Sequence, residues 1–182
     1  MAQITRYVAF LRAINVGGHI VRMETLRDLF TTHGLSNVET FIASGNVIFE
    51  SRAAAGKLLE KAIERRLESA LGYSVGTFVR TIEEVSAIGS YQPFGDAALK
   101  EARTLNIGFL KDLLNPSSMK ALMGLKTEID DFHVRGRELY WLCRKKQSES
   151  TFSNKVFERA IQGTATFRSA TTITKLAAKY PA

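Results

Sequence analysis

Two short glycine-containing turns are the features of this chain best suited to chemistry. Asn15–Gly18 follows the apolar segment Tyr7–Ile14, and Ser44–Asn46 lies between Val38–Ala43 and Val47–Phe49. A strand that ends in glycine lets the backbone bend sharply and present unpaired amides, which suits an anion. The alternative is structural: one turn makes a tight crossover and the other closes a hairpin. The first interpretation predicts a binding module for a small phosphorylated or otherwise anionic ligand.

The residues predicted to bind this ligand come mainly from the two turns. They are Arg12, Asn15, Gly17, Gly18, Ser44, Gly45, Asn46 and Arg168. A strand, a glycine loop and a helix follow one another here, as in phosphate-binding loops. The spacing is nevertheless neither G-x-G-x-x-G nor that of a Walker A loop. Arg12 or Arg22 supplies charge beside the first loop, and the two turns converge if they lie at the same end of one sheet.

Arg168 enters this site as a counter-charge from the C-terminal part of the chain. It precedes a hydroxyl-rich stretch at the start of the last predicted helix, where Thr171 and Thr172 lie. Amides at a helix N-terminus beside an arginine can bind an anion. The competing interpretation is an ordinary N-cap by Ser169 or Thr171. Whether this segment and the glycine turns meet in one pocket stays open from the sequence.

The positive charge of the chain suggests nucleic-acid binding as an alternative function. The net charge is +7, and residues 91–182 carry 15 Lys and Arg against 9 Asp and Glu, whereas residues 1–90 carry 10 against 9. The densest basic stretch supplies the residues predicted to contact phosphates. They are Arg135, Arg137, Arg144, Lys145 and Lys146. Tyr140 and Trp141 face opposite sides of a strand, so at most one is expected to be buried and the other could stack on a base.

No arrangement of nucleophiles, acids or metal ligands singles out a catalytic centre. His19, His33 and His133 lack ligand spacing, Cys143 is the only cysteine, and Asp130 lies in a charged stretch before a strand. A metal site is therefore not expected. Catalytic residues and cofactors stay unknown, and whether the protein is an enzyme stays open. A third hypothesis is a non-enzymatic protein that associates with copies of itself.

The elements that position these residues follow from hydrophobic patterning. In the first half, apolar strands, amphipathic helices with glycine stops, and a hairpin predict the order β-α-β-β-α-β. A Thr81–Glu84 capping box then starts a short helix. The second half repeats this order from Leu105, with Asn115 as a helix cap. We expect an α+β protein of two ferredoxin-like (alpha-beta plait) halves, residues 1–90 and 97–182, with an extra C-terminal helix.

The sequence also resembles a known family. Leu11–Gly18, then Met23 and Leu26, then Thr40–Phe49 are similar to the N-terminal signature of the bacterial domain of unknown function 1697, and Ala165–Leu176 is similar to its closing signature. The resemblance implies a cytosolic protein of two plait domains and no known activity. Three positions depart from the family pattern: glycine is usual at position 13, glutamine at position 43, and an Asn-Trp pair near Arg168.

The amino-acid composition indicates the cellular compartment in which the protein is expected. A single cysteine excludes an intramolecular disulfide and suits a reducing environment. No apolar stretch reaches the length of a membrane span. We therefore expect a cytoplasmic protein without a membrane partner, and the oligomeric state stays open.

Overall fold

The structure is a computed structural model that describes residues 4–15, 17–42, 45–53 and 56–182. The chain divides into two compact units. The first reaches to Ser86 and includes the C-terminal segment Leu176–Ala182, and the second is Ala87–Lys175. The domain boundaries expected from the sequence, 1–90 and 97–182, stay a prediction, because a division into compact units does not measure independent folding.

The first unit contains one four-stranded antiparallel sheet in the order β2-β3-β1-β4. Its elements are β1 (Thr5–Arg12), α1 (Met23–Thr31), β2 (Ser36–Thr40), β3 (Asn46–Ser51), α2 (Lys57–Leu71), β4 (Gly76–Thr81) and the start of α3 (Ile82–Ser90). This is the predicted split β-α-β arrangement. α2 begins four residues later than the sequence suggested, after Gly56 at φ +150°.

The second unit repeats the arrangement with a sheet in the order β6-β7-β5-β8. Its elements are α4 (Asp96–Glu101), β5 (Thr104–Leu110), α5 (Pro116–Met123), β6 (Asp130–Arg135), β7 (Glu138–Cys143), a 3₁₀ turn (Gln147–Glu149), α6 (Asn154–Ile161), β8 (Ala165–Ser169) and α7 (Ala170–Lys179), which continues into the C-terminal segment. The two-plait α+β fold is confirmed. α4 was not predicted: it has six residues and begins at the end of Ser90–Asp96, a segment in which Pro93 and Gly95 predict a linker.

The helix starts follow the local signals in the sequence. The Thr81 hydroxyl accepts from the Glu84 amide, and the Glu84 carboxylate accepts from the Thr81 amide, which completes the predicted capping box. Asn115 caps α5 by accepting from the amide of Ser118 at 2.8 Å. Ser169 accepts from the amide of Thr172 at 3.1 Å and caps α7.

Each unit has its own core between the sheet and two helices. In the first unit, Ala9, Leu11 and Phe49 pack against Phe30 of α1 and Ile63 of α2. In the second unit, Leu110 and Trp141 pack against Leu122 of α5 and Phe157 of α6. Each fully buried apolar side chain contributes about 1.5–3 kcal/mol to folding. These cores fix the sheets from whose ends the candidate loops emerge.

Glutamates cover the edge strand that lies beside the second helix of each plait. Glu64 and Glu60 accept from the amides of Thr77 and Val79 in β4 at 2.8 and 2.9 Å. In the second unit, Glu158 accepts from the amide of Ala165 in β8 at 2.9 Å. Unpaired amides on an edge strand invite pairing with another chain. These contacts satisfy such amides on one edge strand of each sheet, β4 in the first unit and β8 in the second.

Candidate functional site

The two glycine turns lie at the same end of the first sheet and are in contact. β1 runs antiparallel to β3, with Phe10 opposite Asn46, so the end of β1 lies beside the start of β3. The amide of Leu11 donates to the carbonyl of Gly45 at 2.8 Å. A Cβ atom on Gly45 would lie 2.9 Å from Cγ2 of Ile14. Gly45, at φ +75°, therefore serves both the turn conformation and close packing of the loops.

The two asparagines of the predicted site hold the loops in shape. Oδ1 of Asn15 accepts from the amide of Val21 at 2.7 Å, which closes the β1–α1 loop, residues 13–22. Nδ2 of Asn46 donates to the carbonyl of Phe41 at 2.9 Å, and Asn46 is fully buried. Both bonds therefore shape the loops; Asn46 is enclosed, whereas Asn15 is exposed, and its contact with a ligand stays a prediction. Ser44, also predicted to bind, and Ala43 lie outside the described residues.

Gly17 and Gly18 form the exposed tip of the β1–α1 loop. Their φ angles are +68° and +87°, and no described atom lies within 4 Å of a Cβ atom built on either residue. Glycine is favoured here by the backbone conformation alone. Their backbone is therefore accessible to a ligand.

Two residues other than glycine adopt left-handed backbone conformations at this end of the sheet. Ala13 has φ +59° and Ile42 has φ +57°. A left-handed conformation costs an L-residue roughly 1–2 kcal/mol, and more for a β-branched side chain. Glycine adopts this conformation at the least cost, which agrees with the glycine that the sequence resemblance implied at position 13. Strain of this kind gathers at functional sites.

Tyr73 and His19 complete the support of the β1–α1 loop, and sequence reasoning missed both roles. The Tyr73 hydroxyl donates to the carbonyl of Ile14 at 2.9 Å, and the Tyr73 ring stacks on the imidazole of His19 with centroids 3.9 Å apart. Burial raises the pKa of Tyr73. No local pattern could reveal this pair, because the two residues lie far apart in the sequence.

The C-terminal segment fixes the β2–β3 hairpin. The Tyr180 hydroxyl donates to the Glu39 carboxylate at 2.7 Å, and the Tyr180 ring meets the Phe41 ring edge-on. The Tyr180 hydrogen bond and the Lys179 ammonium hold the pKa of Glu39 below its usual range. The hairpin that carries Gly45 is thereby tied to the end of the chain.

The three candidate arginines differ in their surroundings. Arg12 ends β1 and is half-buried, and Arg22 is exposed immediately before α1. Arg168 lies in β8 of the second unit, and its Nη1 donates to Oγ1 of Thr166 and the carbonyl of Phe167 at 2.9 and 2.8 Å. Burial lowers the pKa of Arg168 to about 10. That Arg168 and the glycine turns share one pocket stays a prediction.

The basic residues of the alternative interface form two groups. Arg135 and Arg137 flank the turn between β6 and β7, with the Arg135 guanidinium 4.2 Å from the centre of the Tyr91 ring. Arg144, Lys145 and Lys146 follow the other end of β7, roughly 20 Å away along an extended strand. One continuous basic patch is therefore not formed by all five.

The prediction that at most one of Tyr140 and Trp141 is buried was wrong. Both are buried, with 1% and 6% of their surfaces exposed. The Tyr140 hydroxyl donates to the carbonyl of Ile88 at 3.3 Å, and Nε1 of Trp141 donates to Oδ1 of Asp130 at 2.8 Å. Alternation puts them on opposite faces of β7, but both faces of the strand are covered. Neither ring is available for stacking on a base.

The remaining reactive side chains have structural partners. Asp130 is buried and also accepts from the Ser150 hydroxyl at 2.6 Å. Burial raises the pKa of the Cys143 thiol, which disfavours the reactive thiolate. Within the described ranges, no group of three or more His, Cys, Asp or Glu side chains is arranged to hold a metal ion. No helix in the described part of the chain is long and apolar enough to cross a membrane.

Two linked plait units with a strained, glycine-tipped loop at one sheet end define an α+β protein of the two-plait class. The chain belongs to the family described as "Protein of unknown function (DUF1697)", whose pattern matches residues 4–140. The C-terminal signature noted in the sequence lies beyond that range. No curated protein matches the chain significantly.

A solved structure has the same fold over nearly the whole chain. It is that of the conserved bacterial protein SP0830 from Streptococcus pneumoniae, with a TM-score of 0.77 and 22% sequence identity. The alignment covers 97% of this chain and 98% of the other. This similarity extends the shared fold past residue 140, where the family match ends, through the rest of the second unit.

Proposed function

We propose that the protein is a binding module for a small anionic or phosphorylated ligand, which it holds at the β1–α1 loop of the first unit. The observation that carries this proposal is a loop fixed on several sides with an open glycine tip. Gly45, Tyr73 and Asn15 hold its base, while the backbone at Gly17 and Gly18 is accessible. A preorganised loop loses little conformational entropy when a ligand binds, which favours affinity.

The charge around this loop supports an anion. The loop leads into α1, and the residue at the helix cap position is Arg22, which makes no side-chain cap hydrogen bond within the described structure. The first amides of α1 therefore have donor capacity that an anion can use. Glu24 in the first turn opposes this field, so the Arg22 guanidinium is the main source of attraction.

The test is an amide NMR titration with inorganic phosphate, pyrophosphate and nucleoside phosphates. We expect saturable shifts at Gly17, Gly18 and the first residues of α1, and at least tenfold weaker binding after Arg22→Gln. Arg65→Gln, which removes an exposed charge from α2, is the matched control. Equal weakening by both variants, or no saturable shift with any of the anions, would contradict the proposal.

A pair of glycine variants tests the loop itself. Gly18 and Gly34 have φ angles of +87° and +83°, and a Cβ atom on either meets no described atom within 4 Å. Gly18→Ala and Gly34→Ala therefore introduce similar backbone strain, about 1 kcal/mol, at opposite ends of the unit. Loss of anion binding in the first variant alone supports the site. Loss in both would indicate general destabilisation.

The other hypotheses give different outcomes in the same experiments. Nucleic-acid binding through Arg135, Arg137, Arg144, Lys145 and Lys146 would show a steep salt dependence, and would weaken after Lys145→Gln with Lys146→Gln. Self-association would give a mass that rises with concentration and no ligand.

We also propose a cytoplasmic location, since the lone Cys143 suits a reducing compartment.

A further inference from the structure

The second unit contains a cavity at the end of β5 that the anion site does not use. Its volume is about 200 Å³. Leu113, Leu114 and Ile161 contribute apolar groups, and Lys111, Asp112, Gln162 and Thr164 contribute polar groups. A space of about 150 Å³ is large enough for a single benzene ring, and this cavity is open to solvent with both polar and apolar groups in its lining.

At the corresponding point of the chain, just after the helix cap, the first unit has a tyrosine. α2 ends at Leu71, its left-handed cap residue is Gly72, and Tyr73 follows. α6 ends at Ile161, its left-handed cap residue is Gln162, and Gly163 follows. Tyr73 packs against the first core and bonds to the carbonyl of Ile14, two residues beyond the end of β1. The cavity therefore lies where the second unit lacks the equivalent of Tyr73.

The loops that follow the first strands explain why the space stays open. In the first unit, the β1–α1 loop folds back and buries Ile14 and Val21, which are 3% and 6% exposed. In the second unit, the β5–α5 loop, residues 111–115, is shorter, and Leu113 is 71% exposed. A short loop with its large side chain turned outward leaves the space unfilled.

The walls of the cavity are held together by buried polar contacts. The Ser118 hydroxyl of α5 donates to the carbonyl of Ile161 at the end of α6 at 3.0 Å, and Ser118 is 7% exposed. The amide of Ser118 donates to Oδ1 of Asn115. Because the first bond joins the two helices beside the opening and the second fixes the start of α5, the cavity is formed before any ligand arrives.

We propose that this cavity binds a small single-ring aromatic compound that carries a hydroxyl or amino group. Tyr73 is the internal template: it follows the equivalent helix cap, its ring packs on the first core, and its hydroxyl donates to a backbone carbonyl of the strand-to-helix loop. In the second unit, Leu114 and Ile161 contact the ring, and the polar groups near Asp112 receive its donor. A volume of about 200 Å³ is smaller than pockets for drug-sized molecules, so a single ring is the largest planar group that fits.

The test is an NMR titration with p-cresol, which is the tyrosine side chain as a free molecule. We expect saturable shifts confined to residues 110–118 and 161–164, with contacts from the ring protons to the methyl groups of Leu114 and Ile161. Cyclohexanol, which has the hydroxyl without a planar ring, is expected to bind at least tenfold more weakly. Absence of saturable shifts with p-cresol, or shifts spread over the surface, would overturn the proposal.

Two variants of one residue show whether the cavity is the binding site. Gly163 has an ordinary φ angle, and a Cβ atom on it would lie 3.5 Å from the nearest atom, so a side chain is tolerated. Gly163→Tyr restores the missing ring and should abolish p-cresol binding, whereas Gly163→Ala should retain it. Unchanged binding by Gly163→Tyr would overturn the proposal.

If Gly163→Tyr fails to fold, the NMR contacts between the p-cresol ring and the unmodified protein still show whether the cavity is the binding site. Phosphate binding is measured at the first unit with different probes, so failure of one site does not affect the test of the other.

Discussion

The two units share one strand order and differ at the loop after the first strand. In the first unit, this loop is pinned by Tyr73, Asn15 and Gly45 and presents a glycine tip. In the second unit, the loop is short and leaves a cavity beside Gly163. The cores and the glutamate-covered edge strands repeat, whereas the helix caps and the strand-to-helix loops differ. One scaffold can thus carry two different sites, because loops vary without disturbing the packed layers.

The largest expected loss of stability comes from changing the glutamates that cover the edge strands β4 and β8. Glu60 is 1% exposed, accepts from the amide of Val79, and lies 3.8 Å from the Arg80 guanidinium. Glu60→Ala removes an acceptor from a buried amide and a carboxylate from a buried cation, and should lower the free energy of unfolding by about 3–5 kcal/mol. Glu158→Ala, which affects the amide of Ala165, should cost only about 1–3 kcal/mol.

Urea unfolding followed by circular dichroism measures this difference. Glu60→Gln keeps an acceptor for the amide and is expected to retain more stability than Glu60→Ala. Equal losses for Glu60→Ala and Glu158→Ala would show that the buried Arg80 adds nothing to the contrast between the two edges.

The hairpin turns of the two units give the next contrast. Gly45 and Gly136 both have positive φ angles, +75° and +60°. A Cβ atom on Gly45 would lie 2.9 Å from Ile14, whereas on Gly136 the nearest atom is a Glu138 oxygen at 3.6 Å. Gly45→Ala should cost about 2–4 kcal/mol through strain and overpacking, and Gly136→Ala about 1 kcal/mol through strain alone. Similar thermal unfolding midpoints for the two variants would refute the packing role of Gly45.

Removing the Tyr73 side chain should make the loop region of the first unit resemble that of the second. Tyr73→Gly takes away a half-buried ring and the hydrogen bond to Ile14, and should cost about 2 kcal/mol. Amide exchange in residues 13–22 should accelerate more than exchange in the core strands. Tyr73→Phe, which loses only the hydrogen bond, should cost about 0.5–1.5 kcal/mol. Unchanged exchange in this loop after Tyr73→Gly would mean that the ring does not support it.

The smallest expected effect is a pH dependence at the C-terminal segment. The Tyr180 hydrogen bond lowers the pKa of Glu39 in the folded state below its ordinary 4.5. The stabilisation is therefore present above pH 4.5 and is lost as the pH falls through the lowered pKa. Tyr180→Phe should raise the Glu39 pKa and reduce this acid-dependent loss. Carboxyl chemical shifts measure it, and an unchanged Glu39 pKa would exclude the hydrogen bond as the cause.

The parts of the fold that local patterns predicted are those built from near neighbours in the chain. Thr81 and Glu84 are three residues apart, as are Asn115 and Ser118, so both caps could be read from the sequence. α4 escaped prediction because it is short and follows a segment with Pro93 and Gly95. The candidate loop could be located from its glycines, but the hydrogen bonds by which Asn15 and Asn46 shape the loops could not.

The sequence by itself determined the order of elements, the turns that need glycine and the family. Alternation, helical periodicity and capping act over a few residues, so their signals survive in a linear chain. Only the tertiary structure decided that Tyr73 supports Ile14, that Tyr180 holds Glu39, and that Tyr140 and Trp141 are both buried. These contacts join residues distant in sequence, or depend on what covers a sheet face, and no short-range pattern specifies either.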